Sequence, residues 1–248
     1  FSQVMTYFPR WVFEVVVEKY NGDFHAKNLN SYSHCLHLMF GQMAGCKSLK
    51  DIALVLRSIK KAAYHLGIPT VVDPSSLSKA NEVRDYRIFE ELVMWLIRKV
   101  RPMYAKEDIP DVHLPGWEIF AIDSTTIPCS IKLAEWALGK YSKGGVKMHP
   151  VLDLRGSIPD SIYITDSRYH DSNYLDVYET YKWAIYTMNK AYVDLDALYR
   201  MTENETYFVT RAKTPMKYEV VETNYNINDL VGIVGDKTIR FTGYASRK

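Results

Sequence analysis

The sequence predicts a two-part chain, with a helical N-terminal region over residues 1–112 and a mixed α/β region over residues 113–248. Three observations carry this. Through the first hundred residues, apolar side chains recur at helical spacing. Lys106–Pro115 then mixes prolines and charges without periodicity, as a linker does. Beyond it, short apolar runs alternate with turn signals and helical stretches, the pattern of a mixed layer.

The bulk numbers narrow the class. A chain of 248 residues with 47% hydrophobic and 24% charged side chains has the make-up of a globular protein with a sizeable core. A net charge of +2 is too small to argue for nucleic acid by itself, so any basic surface is local. Cys35, Cys46 and Cys129 are scattered and odd in number, without metal-ligand spacing or a disulfide framework. They read as small buried hydrophobes in a reducing compartment. No stretch approaches about 18 uninterrupted apolar residues, which argues against a membrane partner. Neither is there a signal-peptide pattern, so a cytoplasmic location is expected. The chain opens on Phe1 and closes on the strand-like FTGYASRK, which reads as a piece cut at both ends.

In the first region, Met5–Tyr20 carries apolar residues at mixed helical spacing, although Val15-Val16-Val17 leaves a strand open. Asn21-Gly22-Asp23 is a turn. SYSHCLHLMFGQMAGC, from Ser31, is a buried helix on which His34 and His37 read as core or boundary histidines. Ser48 and Asp51 form a capping pattern for the helix that ends at Gly67. After the Pro69–Pro74 connection, a short helix runs into a longer one that reaches RKVRPMY. Ser75 to Asn81, with Ser78, Lys79 and Asn81, supplies small polar and basic groups at a helix start, as a helix-turn-helix reader of DNA would; the plainer reading is a surface helix with polar caps.

The second region opens on WEIFAIDSTTIP. Its apolar run, Ile119 to Ile122, is a strand buried on both faces and ending on Asp123. A rigid strand can hold such a carboxylate toward water or a metal; Asp123 could also simply cap the following turn. Ile131–Leu138 suggests a short helix, and Val146–Leu154 with Ile158–Asp166 a hairpin. A helix is expected over Asp171–Met188, a further element from Asn189, and a helix over Asp196–Thr202. Strands are expected over Thr206–Ala212, Lys217–Val221 and Leu230–Gly243. Lys147 and His149 share one strand face, suited either to DNA phosphates or to the polar side of an edge strand. Arg211 and Lys213, after a buried strand, fit phosphate contact or a solvated strand end. His170-Asp171 is either a metal pair or a helix cap. There is no G-x-S-x-G, P-loop or G-x-G-x-x-G.

Several pieces in register then carry a resemblance: AIDSTTI, GGVKMHPVLDLRGSIP, ITDSRYHDSNYLD, MNKAYVDLDALY, TYFVTRAK and, upstream, SLSKANEVRDYRIFE. In order and spacing the chain resembles DDE transposases of the bacterial insertion-sequence-four family. The resemblance implies a ribonuclease H-like domain, here partial and ending in a β-rich insertion, in which Asp, Asp and Glu hold two Mg²⁺ ions, with Mn²⁺ as a substitute. Such a metal pair activates the attacking oxygen and stabilises the leaving one in phosphodiester chemistry. It also implies double-stranded DNA partners (terminal inverted repeats and target), a homodimer in the synaptic complex and association with the bacterial nucleoid.

The first carboxylate maps to Asp123, the metal ligand. The second falls in a D-[RK]-x-Y run that reads Asn189-Lys190-Ala191-Tyr192 here, so Asn189 holds that catalytic position and impaired metal binding is expected. Asp194 and Asp196 are nearby but out of register. The Glu of the third position has no match in these residues, which predicts an inactive piece. A DNA-binding remnant that cannot cut is the alternative expectation, and a nuclease unrelated to mobility a third.

Overall fold

The computed structural model describes residues 1–68, 70–109, 112, 114–129, 144–225 and 233–243, with the side chain of Cys129 excepted. The expected helix at Ile131–Leu138 lies outside the described residues. The chain divides into two compact units, Phe1–Lys99 and Val100–Lys248. The division comes before the expected linker, because Arg101 and Tyr104 pack with the second unit.

The first unit is helical: α1 (Ser2–Met5), α2 (Arg10–Lys19), α3 (Ser31–Met43), α4 (Leu49–Ser58), α5 (Lys60–His65), α6 (Pro74–Val83) and α7 (Arg87–Val100). Val15-Val16-Val17 therefore sits in a helix, where Val16 and Val17 face the core and Val15 faces solvent. Local chemistry sets the boundaries. The Asn30 side chain accepts the Ser33 N–H at 2.8 Å to start α3, and Ser48 Oγ accepts the Asp51 N–H at 3.1 Å to start α4. Gly67, at φ +81°, ends α5 in a Schellman arrangement, with Ile68 N–H on Ala63 O and Gly67 N–H on Tyr64 O.

Two apolar clusters flank α3. Leu36, Phe40, Ile52, Leu56 and Leu77 form one, and Val12, Phe13, Val16, Cys35, Ile88 and Leu92 the other. Both histidines of α3 are buried, as the sequence suggests. His34 Nε2 bonds Asn81 Oδ1 at 2.7 Å, and His37 Nδ1 bonds Ser33 O at 2.7 Å.

The second unit is a mixed sheet, the α/β ribonuclease H-like arrangement. Its strands are β1 (Glu118–Ile122), β2 (Thr125–Cys129), β3 (Gly144–Asp153), β4 (Ile158–Asp166), β5 (Ala184–Met188) and β6 (Tyr207–Thr210). The order runs β4–β3–β1–β5–β6, with β3 antiparallel to β1 and β4, and β5 and β6 parallel to β1. β2 continues the line of β1 along β3 in unchanged register: Ile122 faces Val151 and Thr125 faces Met148. Only Asp123 and Ser124 interrupt this line.

α8 (Leu195–Glu203) connects β5 to β6. Asp194 caps it, its Oδ1 accepting the Asp196 and Ala197 N–H groups at 3.1 Å each. The core beneath holds Phe120, Ile122, Tyr174, Tyr186, Tyr192 and Leu198. A separate hairpin, β7 (Tyr218–Asn224) and β8 (Asp236–Phe241), supplies the further antiparallel material.

The expected helix over Asp171–Met188 does not form. A 3-10 turn covers Asp171–Asp176, and Ala184–Met188 is β5. Pairing on both sides explains the difference: β5 alternates buried and half-buried side chains and sits between β1 and β6. That tertiary pairing outweighs the weak local helical pattern.

Away from the Asp123 end of β1, an ion-pair network ties the N-terminal edge of this unit. The almost fully buried Asp153 accepts from Arg101 Nε at 3.1 Å and from Arg155 Nη2 at 3.0 Å. Arg155 Nη2 also reaches Glu118 at 2.6 Å, and Arg101 pairs with Asp160. Burial pushes the Asp153 carboxyl upward, but hydrogen bonds from Arg155 and Arg101 hold it below the usual carboxylate range. Tyr104 lies over Gly156, whose φ is +70°; a Cβ there would stand 2.4 Å from the Tyr104 ring.

Candidate active site

The site forms where three parallel strands end together. Ile122 of β1 pairs with Met188 of β5, which pairs with Thr210 of β6. The next residues along each strand are Asp123, Asn189 and Arg211. Side chains at the carboxyl ends of adjacent parallel strands can converge on one ligand, as open α/β sheets commonly arrange.

Asp123 and Asn189 meet directly. Asn189 Nδ2 donates to Asp123 Oδ1 at 2.9 Å, and the Ser124 N–H donates to the same oxygen at 2.8 Å. The other end of the amide is committed, because Asn189 Oδ1 accepts the Ala191 N–H at 2.7 Å and caps the 3-10 turn Lys190–Tyr192. A backbone N–H can bond only the carbonyl oxygen of the amide. The end facing Asp123 is therefore NH₂, a donor.

That fixes how the pair treats a metal. Mg²⁺ takes oxygen ligands, and an amide can supply one only through its carbonyl. Here the carbonyl is spent on the cap. An aspartate in the same rotamer would cap with one oxygen and face Asp123 with the other. The residues present do not fit a magnesium pair: one carboxylate stands where two are needed, opposite a donor. Among the described residues, no group of three or more His, Cys, Asp or Glu side chains is arranged to hold a metal ion.

Behind Asp123 lies a polar cluster that sequence reasoning only half found. Asp171 does not act as the helix cap; that place belongs to His170, whose side chain accepts the Ser172 N–H. Instead Asp171 Oδ1 accepts from Ser124 Oγ at 2.8 Å and from Lys147 Nζ at 3.2 Å. Lys147 Nζ also donates to Tyr169 O at 2.7 Å. The signal was present in the sequence as a hydroxyl beside Asp123 and a lysine on the neighbouring strand, but only the register of β1–β2 against β3 brings them together.

The remaining candidates separate. His149 is fully buried, stacked on Tyr174 with ring centroids 5.1 Å apart, and bonds Thr165 Oγ1 at 3.1 Å. β3 is an interior strand, so His149 lies neither on an edge-strand polar face nor at a surface open to phosphate. Burial pushes its pKa below the ordinary histidine value. Lys147, bonded inward, is likewise not a solvated face. Arg211 is exposed, whereas Lys213 is tied to Val193 O at 2.6 Å. Ser78 and Lys79 are exposed at the middle of α6, past its first turn, because Pro74 opens the helix. Asn81 bonds His34. Asp194 serves as the cap of α8.

Comparison with known proteins agrees with this architecture. Residues 115–244 match the family model described as "Transposase DDE domain", and residues 1–69 match a domain of unknown function, DUF4372. A Synechocystis protein named as a candidate transposase for insertion sequence element IS4SA is 30% identical over 175 residues, which is 69% of this chain and 49% of that protein. A candidate transposase of Sinorhizobium fredii, y4zB, is 27% identical over 185 residues, 73% of this chain and 50% of that protein. The chain thus spans about half the length of the curated relatives it matches. None of the helices among the described residues is long and apolar enough to cross a membrane.

Proposed function

We propose, from the premise that this chain belongs to the DDE transposase family, that it is part of an insertion-sequence transposase that binds DNA at the element's ends but is disabled for metal-dependent cutting. The family uses divalent metal to cleave and join strands. In this chain the observation that carries the reading is the Asn189 Nδ2–Asp123 Oδ1 bond of 2.9 Å. It puts a donor at the position where the family resemblance calls for a second carboxylate.

DNA binding has separate support. Arg211 follows β6 at the strand-end edge that holds Asp123, and the exposed Lys190 follows Asn189. Arginine and lysine there can neutralise backbone phosphate without a metal. Ser78 and Lys79 on α6 remain candidates for a second contact. A homodimer bridging two element ends fits the reaction of the parent protein.

The test uses the full chain with DNA carrying the terminal repeats that flank its coding sequence. A gel shift specific to those repeats, insensitive to chelator and without Mg²⁺-dependent nicking, is expected. Mg²⁺-dependent nicking by the unaltered chain would refute the disabled site; absence of any repeat-specific shift would refute end binding.

A further inference from the structure

We propose that Asp171, together with Lys147, is a positioning residue for Asp123, acting through the Ser124 hydroxyl. The inference rests on the reading of Asp123 as the first carboxylate of the family site.

The backbone gives the reason such a post is needed. β1 and β2 form one line along β3, yet Asp123 and Ser124 drop out of it at the point where β5 also ends. Asp123 is exposed, and strand pairing ends one residue before it, at Ile122–Met188, so its backbone is held by no ladder bond while its Oδ1 meets the Asn189 amide. Ser124 makes the connection on both sides. Its N–H holds Asp123 Oδ1 at 2.8 Å, and its hydroxyl holds Asp171 Oδ1 at 2.8 Å.

Asp171 is itself held. The Lys147 ammonium lies 3.2 Å away, and both side chains are largely buried, at 14% and 18% exposure. Lys147 in turn is fixed to the Tyr169 carbonyl. The buried His149 Nδ1 has no hydrogen-bond partner and lies 4.0 Å from the same Asp171 oxygen. The cluster therefore balances one negative charge against one positive charge around a hydroxyl. Removing the carboxylate leaves the Lys147 ammonium unpaired and the Ser124 rotor undirected. Partners that orient a ligand in this way are typically worth about 10- to 100-fold in metal affinity.

Two readouts on the full chain test this. The first is the Asn189 side-chain NH₂ signal in ¹⁵N-edited NMR, assigned by its loss in Asn189→Asp, and it needs no metal. Asp171→Asn and Ser124→Ala are expected to shift and broaden that pair while the fold persists, and Ser124→Thr, which keeps the hydroxyl, to restore it. The second is Mn²⁺ affinity in the Asn189→Asp background, where Asp171→Asn and Ser124→Ala are expected to lose about 10- to 100-fold. If Asn189→Asp binds no Mn²⁺, the metal reading fails and the amide signal alone decides the positioning role. If folded Asp171→Asn and Ser124→Ala leave the amide signal unchanged, the positioning role is overturned.

Discussion

The Asn189 amide faces Asp123 with its nitrogen, at 2.9 Å, because its oxygen is already bonded to the Ala191 N–H at 2.7 Å. One residue thus caps a turn and closes the neighbouring carboxylate. The pair is self-satisfied: an acceptor meets a donor and no cation is needed to relieve repulsion. Two aspartates in the same places would set oxygen against oxygen, and like charges at such range raise one pKa or recruit a cation.

Asn189→Asp should therefore make stability depend on metal and pH. The variant is expected to melt below the unaltered chain in chelator at neutral pH and to recover with millimolar Mn²⁺. Scanning calorimetry with and without the ion measures this. Equal melting temperatures in chelator would mean that the two side chains do not face each other as described.

Asp194 and Asn189 both cap short helical turns, but only Asn189 faces Asp123. Asp194→Ala should cost about 1 kcal/mol through loss of the α8 cap. It should leave Mn²⁺ binding in the Asn189→Asp background unaltered. Denaturant titration and Mn²⁺ titration of the double variant check the two halves separately.

These residues show how far the sequence could be read. The strand ending on Asp123, the β3–β4 hairpin and the cap at Ser48 were legible because periodicity and turn chemistry are local. That Asn189 departs from D-[RK]-x-Y was legible from motif register. Which end of its amide faces Asp123 was not, since that follows from the bond to Ala191. The strand Ala184–Met188 was hidden inside an expected helix because its pairing partners, β1 and β6, lie far away in sequence. His149 looked like a polar strand face for a similar reason: alternation along β3 does not reveal that the Tyr174 turn covers that face.

Asp153 should be the most sensitive ionic site in the second unit. Asp153→Ala leaves Arg101 and Arg155 without their shared buried partner, which should cost about 3–5 kcal/mol. Urea unfolding followed by a probe in the sheet reads this loss. A cost below about 1 kcal/mol, the value of an exposed pair, would contradict the buried network.

The helical unit should weaken in acid. Burial lowers the His34 pKa from 6.5 to about 4, and burial lowers that of His37 as well. Below pH 6.5 the unfolded chain takes up protons that the folded chain refuses. Stability from these groups is thus complete above that pH and falls progressively toward pH 4, by about 3 kcal/mol for His34. Denaturant titrations between pH 7.5 and 4.5 should show a shallower slope for His34→Gln. An equally steep slope in that variant would assign the acid sensitivity elsewhere.

Gly156→Ala should destabilise the second unit by about 1–3 kcal/mol, because it combines a left-handed backbone with a close approach to the Tyr104 ring. Thermal unfolding measures it; a neutral result would mean that Tyr104 does not lie over the turn.

Asn189 presents a donor where a metal would need an oxygen. Mn²⁺ titration of the full chain beside Asn189→Asp, followed by the loss of the free-ion paramagnetic resonance signal, reads the consequence. No saturable site involving Asp123 is expected in the unaltered chain, and a new site is expected in Asn189→Asp that Asp123→Asn removes. A saturable site of equal affinity in both chains, abolished by Asp123→Asn, would contradict it.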